Sequence, residues 1–424
     1  MNAPNYLTAS EAANTIAQGE LTSQVLVEAC LARIEAREAQ IGAWTYLDAA
    51  SALAQARACD RGPVRGPLHG VPVGIKDIID TYDMPTSYGS PIYDGHQPAW
   101  DASCVALLRA AGAVILGKTV TTEFAMFTPG KTANPNNPAH TPGGSSSGSA
   151  AAVADAMVPL ALGTQTAGSI IRPASYCGAV GYKPTHGVFP VAGIKALSQT
   201  LDTLGGFARS VEDFALLRAV FASTPAALQS VEYPPRIGLC RTPQWPQAGA
   251  DTQHALEMAA QQLATAGAEV DDVDLPPDFT GLVAAQETIQ VFEGVRCCAY
   301  ELAQHREQLS PKLLELLEPG AQLPYSAYAE AAALAEQCRR LLDSVFRSHD
   351  VLLVPSAPGE APRGLDATGD PLFNRMWTLL HVPAVTLPGF TGANGLPVGV
   401  QVIGPVGQDD RLLAMAAWMH ARIG

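Results

Sequence analysis

Residues 142–149 read Pro-Gly-Gly-Ser-Ser-Ser-Gly-Ser, and residues 163–173 read Gly-Thr-Gln-Thr-Ala-Gly-Ser-Ile-Ile-Arg-Pro. One apolar, Ala-rich stretch, 150–162, lies between them. Hydroxyls are concentrated where backbone freedom is greatest. Glycine lets a chain approach a ligand closely and adopt conformations that other residues resist. A serine in such a loop, backed by unpaired N–H groups, is a candidate nucleophile with an oxyanion hole beside it. A flexible Gly/Ser linker is the bland alternative, but linkers do not usually enclose a core-like segment such as AAAVADAMVPLAL.

A nucleophile needs a base, and the familiar patterns fail on context. Residues 144–148 satisfy the G-x-S-x-G elbow with Ser146 as nucleophile. That elbow follows a strand, whereas residues 132–142 are rich in Pro and Asn and cannot be a central strand. Residues 112–119 satisfy the P-loop pattern, but the intervening Ala-Val-Ile-Leu should form a buried strand rather than a phosphate loop. The nine histidines are dispersed without ligand spacing, so no metal is expected. His69, His186 and His381 lie beside glycines or apolar runs, where a packed, hydrogen-bonded histidine is the usual case. A lysine is then the natural base. Lys76 is the only charged residue between His69 and Asp77, in an apolar strand. Such a lysine is paired with a carboxylate or has a depressed pKa. Asp77, its neighbour on the strand, points to the opposite face and is a poor partner.

The elements that must position these residues alternate between strand and helix. Helices are expected at 10–18 and 23–37, capped by Ser10 and Ser23, and at 103–111, 211–221 and 252–266. Strands are expected at 70–79 (ending near Lys76), 113–116, 235–240, 269–273, 351–355, 384–387 and 398–403. Residues 180–185 read as a turn-rich return, and 279–347 as almost wholly helical, a lid or flank over the site. A terminal helix starts near Asp409. This order implies an α/β layered domain with a mostly parallel or mixed sheet.

With 424 residues, 47% of them hydrophobic and 16% charged, the chain can bury a large core. The formal net charge of −14 argues against nucleic acid and anionic membrane as partners. The first residues form no signal peptide and no run reaches the length of a membrane span, so a cytoplasmic location is expected. Eight scattered cysteines, with no C-x-x-C pair, read as reduced thiols.

GVPVGIKDIID around Lys76, TPGGSSSGSAAAVA around Ser145, and GTQTAGSIIRPASYCGAVGYKPT around Ser169 resemble the amidase signature family of amide hydrolases. The tail segments DVLLVPSAP, HVPAVTLPGF and GLPVGVQVIGP fit as well, so the resemblance covers nearly the whole chain. It implies a single α/β/α domain over 1–424 with a central mixed sheet of many strands and helices on both faces. It also implies a Ser–cis-Ser–Lys triad: Ser169 as nucleophile, Ser145 as the bridging serine after a cis bond from Gly144, and Lys76 as base. The N–H groups of Thr166, Ala167, Gly168 and Ser169 would form the oxyanion hole.

Three positions depart from the common pattern: Gln165 for a frequent Asp, Ala167 for a frequent Gly, and Ile171 for a frequent Arg, with Arg172 one position later. That form resembles the malonamidase-like branch and implies that Arg172 holds a substrate carboxylate; a family salt bridge moved by one residue is the alternative. Pro173 is expected to disfavour a helix through Arg172. The implied activity is hydrolysis of a small-molecule amide through a serine acyl-enzyme, with no cofactor and no metal. The rivals are the glutaminase-type subunit of a tRNA-dependent amidotransferase, for which the chain looks short, and a carbamate or urea-derivative hydrolase with the same triad. A homodimer is left open. Gly144, Met126, Phe127, Asn374 and Trp377 are further candidates to line the substrate pocket.

Overall fold

The computed structural model describes residues 3–231 and 233–423. Its β-branched and glycine-rich runs pair into one eleven-stranded sheet. In chain order the strands are β1 (Trp44–Leu47), β2 (Pro72–Lys76), β3 (Val114–Thr119), β4 (Leu160–Gln165), β5 (Val180–Lys183), β6 (Thr203–Ala208), β7 (Arg236–Leu239), β8 (Glu269–Asp272), β9 (Val351–Pro355), β10 (Ala384–Thr391) and β11 (Pro397–Ile403). They lie side by side in the order β1-β3-β2-β4-β6-β5-β10-β11-β9-β7-β8. The sheet is mixed. β3-β2-β4 and β9-β7-β8 are parallel groups, and the strands between them pair antiparallel. Helices around it complete the single α/β/α domain that the sequence implies. β2, β3, β4, β5, β6 and β9 are buried at every residue. They therefore read as continuous apolar or small-residue runs rather than alternating ones.

Most expected elements are found within a few residues. The differences have identifiable reasons. The first two helices are capped by Thr8 and Thr22, not Ser10 and Ser23, and Thr8 forms a full capping box with Glu11. Residues 180–183, expected to turn, are β5, where Gly181 pairs opposite Phe207 of β6 and Thr386 of β10. β6 itself, TLGGFA, lacks β-branched density, and its glycines are required by close neighbours. A side chain at Gly205 would collide with the carbonyl of Tyr182.

The segment 279–347 is helical as expected, in four main pieces: Leu282–Cys297, Ala299–Gln304, Pro311–Gln322 and Tyr325–Val345. No helix among the described residues is long and apolar enough to cross a membrane.

Candidate active site

Among the described residues three lysines are buried, and their partners separate them. Lys118 Nζ lies 2.9 Å from Asp77 Oδ1, which removes Asp77 as a partner for Lys76. Lys183 Nζ donates to two backbone carbonyls, Pro184 O at 2.9 Å and Val382 O at 2.6 Å. Lys76 Nζ, at the end of β2, instead meets two hydroxyls, Ser145 Oγ at 2.7 Å and Thr164 Oγ1 at 2.8 Å. Burial pushes the Lys76 amine down from 10.5 to about 7, opposed by the Asp202 carboxylate. Burial brings Lys183 to about 7 as well. A carbonyl has no proton to give, so only Lys76 stands where a neutral amine can accept one. Thr164 Oγ1 takes one N–H of the neutral amine, which turns the lone pair towards Ser145.

The Gly144–Ser145 bond is cis. Ser145 lies at the mouth of the helix Ser147–Ala154, and Ser169 at the turn between β4 and the helix Ile171–Cys177. The two loops touch through Ser146 N, which donates to Ser169 O at 3.4 Å. Lys76 at the end of β2 and Ser169 just past the end of the adjacent parallel strand β4 thus both adjoin the loop that carries Ser145. Among the described residues the Ser169 hydroxyl has no hydrogen-bond partner. Hydrogen bonds of an unliganded site are often long and close only around substrate.

Residues 166–169 leave β4 without entering the next helix. None of their four N–H groups donates to another described residue, although all four residues are buried or nearly so. Buried N–H groups are almost always paired, so a run of four free donors is a ready anion cradle. Gln165 shapes it. Its Oε1 accepts from Ile170 N (2.9 Å) and Ile171 N (3.0 Å), and its Nε2 donates to Thr378. An aspartate could accept those two bonds but could not donate to Thr378. Gly168 admits no side chain, because a Cβ would collide with Asn374 Oδ1.

Arg172 sits in the first turn of the helix Ile171–Cys177. Pro173 does not exclude a helix there, because proline is tolerated where the N–H has no intrahelical acceptor. Arg172 Nη2 donates to Gly144 O at 2.7 Å and to Thr368 Oγ1 at 3.2 Å, while its Nε and Nη1 are buried without a partner among the described residues. One edge of the guanidinium therefore holds the backbone that carries Ser145. Met126 is buried, and its Sδ lies 3.8 Å from Gln290 Nε2. Phe127 is half-buried. Trp377 is fully buried among Met376, Leu379 and Leu380, a core position rather than a pocket wall.

Four residues of the site are not among the sequence candidates. Thr164 orients Lys76. Asp202 Oδ1 accepts from Thr166 Oγ1 at 2.5 Å, and its Oδ2 accepts from Leu197 N and Ser198 N. It borders a cavity of about 170 Å³ shared with Thr164, Thr166, Lys195 and Gln199. Gln286 Nε2 donates to Thr166 O at 2.9 Å, which brings the helix Leu282–Cys297 onto the loop. Arg375 Nη1 donates in turn to Gln286 Oε1 at 2.5 Å. Only Thr164 leaves a trace in sequence, as the first hydroxyl of the alternating pair Thr164/Thr166; the others are remote and in no motif.

The family model Amidase matches residues 25–413. The chain belongs to the amidase family. A relative in Chloroflexus aggregans (strain MD-66 / DSM 9485), named as a subunit of glutamyl-tRNA(Gln) amidotransferase, is 37% identical over 94% of this chain and 93% of its own. The crystal structure of an amidase superimposes with a TM-score of 0.90 at 32% identity, covering 99% of this chain and 100% of that one. Native peptide amidase from Stenotrophomonas maltophilia gives a TM-score of 0.84 at 31% identity, covering 99% and 97%. The match to the C. aggregans relative spans 460 aligned positions while covering 94% of this 424-residue chain, so that relative carries segments with no counterpart here.

Proposed function

We propose that the chain hydrolyses the C–N bond of a small-molecule amide through an acyl-enzyme on Ser169. The observation that carries this is the buried Lys76 amine at hydrogen-bond distance from Ser145, beside a loop with four free N–H groups. Neutral Lys76 accepts the Ser145 proton as Ser145 takes the proton of Ser169. Ser169 Oγ attacks the amide carbonyl, and the oxygen, now negative, is received by the N–H groups of residues 166–169. As the C–N bond breaks, the nitrogen takes the proton back from Ser145, which is refilled from Lys76. Ammonia or an amine leaves. Water then attacks the ester, its proton passes to the same relay, and the acid is released. A carbamate or urea derivative would follow the same steps with a different leaving group.

Arg172 serves here by fixing Gly144 O, and so the direction of the Ser145 hydroxyl. Asp202 acts on the base from outside the relay, because its negative charge favours the protonated form of Lys76. Asp202→Asn removes that charge and is expected to move the rising limb of kcat/KM to lower pH. A limb that stays in place or moves up would show that Asp202 does not bear on Lys76.

A second reading is favoured by the name of the C. aggregans relative, a glutamyl-tRNA(Gln) amidotransferase subunit: on that reading this chain releases ammonia from glutamine for a partner. Ammonia release by the purified chain separates the two, measured on aliphatic, aryl and carboxylated amides, on carbamates and on glutamine. Turnover of simple amides by the chain alone, exceeding that of glutamine, is expected. Activity confined to glutamine would favour the second reading.

A further inference from the structure

We propose that Arg375 reads the acyl side of the substrate and that the group it reads is a carboxylate; this rests on the amide hydrolysis proposed above. Arg375 follows Asn374, whose side chain lies against Gly168 of the oxyanion loop. Its Nη1 donates to Gln286 Oε1 at 2.5 Å and to Gln290 Oε1 at 3.4 Å. Gln286 holds Thr166 O, and Gln290 reaches Met126 Sδ. The guanidinium is therefore one side chain away from the carbonyl of Thr166, between the helix Leu282–Cys297 and the loop that receives the oxyanion.

Its own partners match its charge poorly. Arg375 is 8% exposed. Among the described residues, two neutral amide oxygens and a single 3.4 Å contact from Nε to the half-exposed Glu287 are all it has. Asp370 bears on it from an exposed position, with one oxygen taken by Leu372 N. A second guanidinium, Arg172, lies close enough for the two charges to repel, and burial together with Arg375 draws Arg172 down to about 10. Buried charge is normally paired. Two neighbouring guanidinium groups whose carboxylate partners among the described residues all stand at the rim form a place for an anion from outside, and a planar fork suits a carboxylate.

The side of the substrate follows from the relay. The leaving nitrogen must be reached by the proton between Lys76 and Ser145, so it lies on their side. Arg375 reaches the oxyanion loop from elsewhere, through Gln286, which holds Thr166 O, and beside Asn374, which lies against Gly168; it is assigned to the acyl side. Arg172 is the weaker candidate for the same carboxylate, because its Nη2 is held by Gly144 O and Thr368.

The test compares malonamate, succinamate and glutaramate with neutral amides of matched size on wild-type protein and three variants. Wild type should favour at least one carboxylated amide by roughly 10- to 150-fold in kcat/KM, the range of one charge-assisted contact. Arg375→Gln should bring that ratio close to one, and Arg375→Lys should restore it only in part, since an ammonium cannot bind in a fork. Glu287→Gln removes the competing carboxylate and should raise kcat/KM for the carboxylated amide about two- to fivefold without moving the neutral one. A purely structural Arg375 gives the opposite pattern: Arg375→Gln slows all substrates alike and Glu287→Gln brings no gain. Wild-type turnover of neutral amides without preference for any carboxylated one overturns this inference and leaves the amidase reading standing. No turnover of any amide overturns that reading instead.

Discussion

Ser169→Ala is expected to lower kcat/KM by several orders of magnitude, because it removes the atom that forms the covalent bond. Ser146→Ala and Ser147→Ala should each keep substantial activity. The structure explains the contrast among neighbouring serines. Ser146 Oγ lies between Thr164 N and Thr164 O, 3.3 Å from each, and so ties the helix Ser147–Ala154 to β4. Ser147 Oγ donates to Gly143 O at 2.8 Å. Both hydroxyls are buried in bonds that hold the loop, and losing one should cost about 1–2 kcal/mol of stability. The Ser169 hydroxyl, by contrast, lies beside the free N–H groups with no bond to another described residue. The measurement is ammonia release, paired with mass-spectrometric mapping of a phosphonate adduct. Strong activity in Ser169→Ala protein, or an adduct on Ser146, would return the nucleophile to the G-x-S-x-G serine.

The parts of the site that are legible in sequence are those where local chemistry is unusual for its surroundings. Lys76 stands out because a charged residue sits in an apolar strand, and the serines because hydroxyls and glycines coincide. Both signals are short-range. Asp202, Gln286 and Arg375 carry none, because what makes them matter is where the approach to β6, the helix Leu282–Cys297 and the helix Leu372–Leu379 bring them. An aspartate after a turn and an arginine on an amphipathic helix are ordinary at the level of sequence.

The fold is legible where strands are wholly apolar and obscure where glycine replaces bulk. β4 is hidden because LALGTQ continues the apolar run before it, and only the short turn around residues 155–158 separates it from the preceding helix. Arg172 shows the opposite failure. Pro173 looks like a helix breaker in sequence, yet proline breaks a helix interior and not its first turn. A broken helix would leave Arg172 in the open, whereas the helix that forms buries it against Gly144.

The pH dependence follows from the burial of Lys76. The amine must be neutral to accept a proton, and burial lowers its pKa to about 7. Below that value Lys76 is protonated and the relay is blocked; above it the base is free. kcat/KM is therefore expected to rise with pH through about 7 and then level off, with no second loss up to the pH at which the fold fails. Lys76→Ala should remove most activity. Lys76→Arg should not restore it, because a guanidinium stays protonated throughout this range. Lys183 supplies the internal control. It is as deeply buried and is also brought to about 7, yet it meets only Pro184 O and Val382 O. Lys183→Met is expected to cost some stability through the two carbonyls it leaves unpaired, while the limb near pH 7 stays where it was. Should the limb vanish in Lys183→Met and persist in Lys76→Ala, the base has been assigned to the wrong lysine. Should activity instead disappear on dialysis against a chelator and return with zinc, neither lysine is the base and the relay from Lys76 through Ser145 to Ser169 fails as a whole.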